Sequence, residues 1–132
     1  MKKDSVTLAF FGDAVYELAV RRALVLQGGV YAADKLHRAA VRYVKASAQA
    51  KAMRTILAME DNGLDEEALA VVRRARNHKP KTVPRNADPV DYKMATALEA
   101  LIGYLSLEGL DEEAGAVIDL SMKIIDDKHL CE

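Results

Sequence analysis

Apolar residues return every three to four positions along most of the chain, and no stretch keeps the strict alternation of a half-buried strand, so the pattern predicts an all-α protein. Asp4 or Ser5 caps a first helix that runs to about Gln27, where Gly28-Gly29 ends it. A second helix is predicted from about Ala33 to Met59, with Leu36, Ala40, Tyr43, Val44 and Ala48 on one face and Asn62-Gly63 as the stop beyond it. Asp65 caps a third, from Glu66 to about Arg76. Pro80, Pro84 and Pro89 make Asn77 to Pro89 a loop, because proline lacks the helix donor and clashes with the preceding turn. A fourth helix runs from Val90 to Leu107 and a fifth from Asp111 to about Asp127, separated by Gly109. No repeat, low-complexity tract or domain boundary interrupts residues 1–132, so one compact helical domain of about five main helices is expected.

Composition narrows the setting. The chain has 132 residues, 51% of them hydrophobic, enough for a single core. A formal net charge of −1 gives no general attraction for nucleic acid, but the charge is uneven. Arg73, Arg74, Arg76, Lys79, Lys81 and Arg85 follow one another with no acid between them, whereas the acids gather at Glu60 to Glu67 and Asp111 to Glu113. The single cysteine, Cys131, excludes an internal disulfide and a thiolate metal site. The first residues make a poor secretory leader and no segment is long and charge-free enough to span a bilayer, which points to a soluble, cytoplasmic protein.

The candidate chemistry lies where acids interrupt apolar helices. Asp13 and Glu17 are one turn apart on the first helix, among Leu8, Phe10, Phe11, Val15 and Leu18. Tyr92, Thr96, Glu99 and Gly103 form one stripe on the fourth, which is apolar almost all round and reads as central. An ionised carboxylate removed from water costs several kcal/mol unless a positive group sits beside it. Two such acids on packed helices share that cost, and a divalent cation relieves both. Oxygen-only donors suit Mg²⁺, with Mn²⁺ as substitute. Gly12 and Gly103 sit mid-helix, where glycine costs about 1 kcal/mol against alanine; either close helix contact or room for a ligand compensates. The competing reading makes all three acids surface groups of amphipathic helices. His37 reads as a capping or packing group, and His78 and His129 have no metal-ligand spacing. The segment carrying Arg74, Arg76, Asn77, Lys79, Lys81 and Arg85 is either a solvated loop or a grip for phosphates, which beside paired acids suggests phosphoryl chemistry. The helical stripe Lys35, Arg38, Arg42 and Lys45 reads as a solvated face.

Leu8 to Val15, with Gly12-Asp13-Ala14-Val15-Tyr16-Glu17 at its centre, resembles the signature helix of the ribonuclease III catalytic domain. Thr96 to Tyr104, with Glu99-Ala100-Leu101-Ile102-Gly103, resembles that family's second acidic helix. Leu36-His37, Arg74-Ala75-Arg76-Asn77 and Tyr92-Lys93 extend the likeness over nearly the whole chain, most closely to the Mini-ribonuclease III branch, which lacks a double-stranded-RNA-binding domain. The resemblance implies an all-α homodimeric endonuclease that cuts double-stranded RNA with Mg²⁺ and matures the large-subunit ribosomal RNA precursor, with a ribosomal protein as a candidate presenter. It implies Asp13 and Glu99 as catalytic and metal-holding residues. Beside them Glu17 reads either as a helper to the metal, directly or through water, or as a structural residue, and Tyr92, with Thr96, either as support for the site or as ordinary packing. Full-length ribonuclease III carries two more acids where this chain has Ala9 and Thr96, a reduction the Mini branch shares. Phe10 and Phe11 belong either to a dimer seam or to the core. Three rivals stand: a helical RNA-binding protein that has lost catalysis, a helical nucleotide pyrophosphohydrolase, and a purely structural interaction module.

Overall fold

The computed structural model describes residues 3–29 and 32–127. Cys131 and His129 lie outside the described residues. Among the described residues there are six helices and no strand: α1 (Ser5–Gln27), α2 (Ala33–Val44), α3 (Ala46–Ala58), α4 (Glu66–Asn77), α5 (Pro89–Leu107) and α6 (Asp111–Asp126). Their starts follow the aspartates. Asp4 accepts from the Thr7 amide at 2.8 Å, Asp65 from Ala68 at 2.9 Å, and Asp88 from Val90 at 2.8 Å with Pro89 at the first helical position. Gly109, at φ 77°, turns the chain between α5 and α6, and Leu110 N–H closes the end of α5 on the Leu105 carbonyl at 2.9 Å.

The predicted second helix is two helices. Lys45 leaves the helical region at φ −65°, ψ 151°, and α3 sets off on a new axis. Residues 33–58 hold neither glycine nor proline, so local propensity favours continuity; tertiary hydrogen bonds to the exposed helix end favour the break. The Tyr43 carbonyl accepts from the hydroxyl of fully buried Tyr16 at 2.9 Å, and the Val44 carbonyl accepts from Gln49 Nε2 at 2.8 Å. Arg42 and the Tyr43 hydroxyl both bond Asp126 Oδ1, at 2.8 and 2.6 Å, which ties the end of α2 to α6.

Helix α5 is the axis of the fold. Met94, Ala95, Ala97, Leu98, Ala100, Leu101, Ile102, Gly103 and Leu105 are buried as α1, α3, α4 and α6 pack around it. The tightest contact is with α1, where Gly12 and Gly103 face each other's helix. A Cβ on Gly12 would collide with the Glu99 carbonyl and come within 2.8 Å of Gly103 N; one on Gly103 would collide with the Leu8 carbonyl. Both glycines therefore serve close backbone approach, and that approach sets Asp13 against Glu99.

Candidate active site

Asp13 and Glu99, 86 positions apart in the chain, meet across the α1–α5 contact. Each is held by its helix: Gly12 precedes Asp13, and the carbonyl that a Gly12 Cβ would strike is that of Glu99 itself. Asp13 stands on the exposed side of α1, while Glu99 is set deeper. Burial pushes the Glu99 carboxyl up from 4.5 to about 8; the neighbouring Asp13, by charge and by hydrogen bonding, pushes the same way, and Glu17 adds a weaker repulsion. Gln49 opposes the rise by donating to Glu99 Oε2 at 3.4 Å.

The two acids open onto a cleft of about 640 Å³ whose walls include Ala9, Phe10, Tyr92, Thr96, His78, Lys81 and Lys93. Ala9 and Thr96, the positions without the additional acids, lie on this wall, so the opening stays roomy and less acidic there. The Thr96 hydroxyl donates to the Tyr92 carbonyl at 2.8 Å, which leaves it acceptor capacity.

Other expected residues are placed differently. Glu17 pairs with Arg21 at 3.4 Å and is absent from the cleft wall, so it touches the site only through its charge. Of the basic segment, Lys81 reaches the cleft. Arg74 and Asn77 border a separate shallow surface with Asp4, Arg73 and His78, and Arg76, Lys79 and Arg85 are exposed. Phe10 is 81% exposed, so it is not core. Among the stripe on α2, Arg38 pairs with Asp34 and Arg42 anchors α6, in keeping with a surface face. His37 lines a groove with Arg21, Leu24 and Leu36 and plays no part near the acids. Lys93 and Gln49 are the residues that sequence reasoning missed. Lys93 sits one position from Tyr92 at the start of α5, and its signal was a cation on an otherwise apolar helix. Gln49 gave a weaker signal, one amide in an alanine-rich run.

Among the described residues no group of three or more His, Cys, Asp or Glu side chains converges to hold a metal. The protein supplies two carboxylates. That donor set fits a hard, hydrated cation such as Mg²⁺, which takes one or two carboxylates and keeps several waters. The raised Glu99 carboxyl fits it as well: at neutral pH the pair lacks a positive charge.

Residues 6–110 match the Ribonuclease III domain family. The chain belongs to the ribonuclease III family. Mini-ribonuclease 3 of Brevibacillus brevis is 44% identical over 92% of this chain and 87% of its own length, and that of Symbiobacterium thermophilum is 42% identical over 92% and 89%. A crystal structure of a Fusobacterium nucleatum protein superposes with a TM-score of 0.78 at 37% identity, covering 92% of this chain and 93% of the other. As a ribonuclease III-type protein, the chain is an endoribonuclease with the all-α fold of that domain. Membership removes the pyrophosphohydrolase and the purely structural module. The acid-dense runs at Asp65 to Glu67 and Asp111 to Glu113 are helix starts away from the cleft.

Proposed function

We propose that this chain hydrolyses the phosphodiesters of double-stranded RNA in a Mg²⁺-dependent reaction, with Asp13 and Glu99 as its catalytic pair. The observation that carries this reading is the meeting of the two acids at the mouth of a cleft that also holds Lys81 and Lys93. Both carboxylates would hold the cation through oxygen, and the Gly12–Gly103 contact keeps them at a fixed separation. When bound, Mg²⁺ polarises the scissile phosphate and lowers the pKa of a water. Lys81 and Lys93 draw the phosphate backbone into the cleft, while Tyr92 and Thr96 line the wall against which a ribose lies. Arg74, Arg76, Asn77, Lys79 and Arg85 extend the same grip along the duplex, whose A-form shape is read through phosphates and 2′-hydroxyls.

The working unit is a homodimer. On its exposed flank α1 carries Val6, Phe10, Leu18, Val25 and Leu26 among charged residues such as Arg21 and Arg22, and Val6 and Phe10 help to line the cleft. Two-fold pairing through that flank sets one site against each strand of the duplex. The substrate is the large-subunit ribosomal RNA precursor, presented with a ribosomal protein, and the setting is the cytoplasm; no helix among the described residues is long and apolar enough to cross a membrane.

The test is cleavage of an RNA duplex by purified protein with and without Mg²⁺, alongside Asp13→Asn and Glu99→Gln. Cleavage requires the metal, and each substitution lowers kcat by about a thousandfold, the equivalent of about 4 kcal/mol of transition-state stabilisation. Metal-independent cleavage, or full activity in either variant, contradicts the assignment. No cleavage by the wild type on any duplex contradicts it as well.

A further inference from the structure

Among the described residues, Gln49 Oε1 is the buried side-chain atom without a hydrogen-bond partner. Gln49 is 2% exposed and lies in the first turn of α3, just past the break at Lys45. Its Nε2 donates to the Val44 carbonyl at 2.8 Å and reaches Glu99 Oε2 at 3.4 Å. The Val44 carbonyl fixes which way the amide faces: turned over, the amide oxygen would confront that carbonyl, which cannot donate. Capping the end of α2 needs only a donor. The acceptor on the same amide is surplus to that task, and a buried acceptor with no donor is costly.

We propose that Gln49 is a positioning residue for Glu99: its amide N–H fixes the carboxylate facing Asp13, and its Oε1 accepts a hydrogen bond from a water in the shell of the cation those acids hold. The proposal rests on the metal-dependent reading given above. It links the helix break to the site, because Gln49 can stand behind Glu99 only if α3 departs from the axis of α2 at Lys45. Hydrated Mg²⁺ supplies the donor that the amide oxygen lacks. Groups in this relation to a metal ligand cost about 10-fold to 100-fold in affinity when removed.

The experiment measures Mn²⁺ affinity by electron paramagnetic resonance on wild type, Gln49→Met, Asp13→Asn and Glu99→Gln, with metal-free melting as a check on folding. Methionine keeps the side chain's bulk and removes both polar atoms. Gln49→Met is expected to fold and to bind Mn²⁺ about 10-fold to 100-fold more weakly, with activity at limiting Mg²⁺ recovered by more Mg²⁺ and KM for RNA unchanged. If Gln49→Met binds Mn²⁺ like wild type while Asp13→Asn does not, Gln49 only caps α2 and the proposal falls with the site intact. If Asp13→Asn and Glu99→Gln also bind like wild type, the metal-site reading falls first. A second measurement needs no variant to fold: in wild-type protein the Gln49 side-chain amide signals shift on Mg²⁺ addition. An amide that stays unmoved while the Glu99 backbone signal shifts overturns the proposal.

Discussion

The α1–α5 contact and the basic segment that begins in the last turn of α4 both serve the proposed reaction, yet they are built on opposite terms. At the contact, Gly12 and Gly103 leave no room for a Cβ, and burial beside Asp13 drives the Glu99 carboxyl up to about 8. In the segment, Arg76, Lys79, Lys81 and Arg85 are exposed, and among the described residues none of them forms an ion pair. Charge in the first region is desolvated and locked, so small displacements carry large energies. Charge in the second is solvated and additive, so each cation adds a modest, salt-dependent share. The chemistry is fixed by packing, the grip by numbers of charges.

The sharpest way to break that contrast is through the glycines. Gly103→Ala sets a Cβ against the Leu8 carbonyl and Gly12→Ala sets one against the Glu99 carbonyl; neither obstacle is a flexible side-chain end. Each is expected to cost about 3 kcal/mol or more in denaturant unfolding, a large share of a small domain's stability. Gly12→Ala should additionally lower kcat in whatever fraction stays folded, because it displaces the backbone of Glu99. Ordinary stability in either variant would mean that the helices are not so closely set.

The basic segment should respond far more gently. Lys79→Ala and Arg85→Ala each weaken duplex binding a few-fold and lower the slope of log affinity against log salt by about 1, with kcat unmoved. Lys81, which reaches the cleft, should lower kcat as well as affinity. Binding titrations at several salt concentrations separate the two patterns; a kcat loss in all three variants equally would erase the distinction between grip and site.

A separate effect is one of pH. Folding raises the Glu99 carboxyl from 4.5 to about 8, so between those values the folded, metal-free protein holds a proton that the unfolded chain has released. Its stabilising share is complete below about 4.5 and is lost as pH rises through about 8. Glu99→Gln removes this dependence. Melting curves of the metal-free proteins should therefore diverge with rising pH, the variant gaining on wild type up to about pH 8. Added Mg²⁺ should narrow the gap by stabilising wild type alone. A gap independent of pH would show that Glu99 titrates normally.

Much of the fold was legible because local signals agreed with tertiary need. Asp4 and Asp65 cap helices where the hydrophobic spacing begins, and the prolines of residues 80–89 mark the loop. Asp13 and Glu99 stood out as acids in apolar company, and their two glycines signalled the close contact. The break at Lys45 was not legible, since alanine-rich residues 46–52 favour an unbroken helix and the bonds that favour the break come from distant Tyr16 and from Gln49. Gln49 was hidden for the same reason: on one continuous helix it has no assigned place behind Glu99. The basic run was visible as charge, but which of its members turns toward the cleft depends on the loop's path, and only Lys81 does so.

Isothermal titration of Mg²⁺ into wild type, Asp13→Asn, Glu99→Gln and the double variant tests most directly whether two distant acids act as one cation site. Joint binding predicts that each single substitution removes nearly as much affinity as both together, because the remaining carboxylate cannot hold the ion alone. Losses that add independently, or a double variant that binds Mg²⁺ as wild type does, would show that Asp13 and Glu99 do not share a metal.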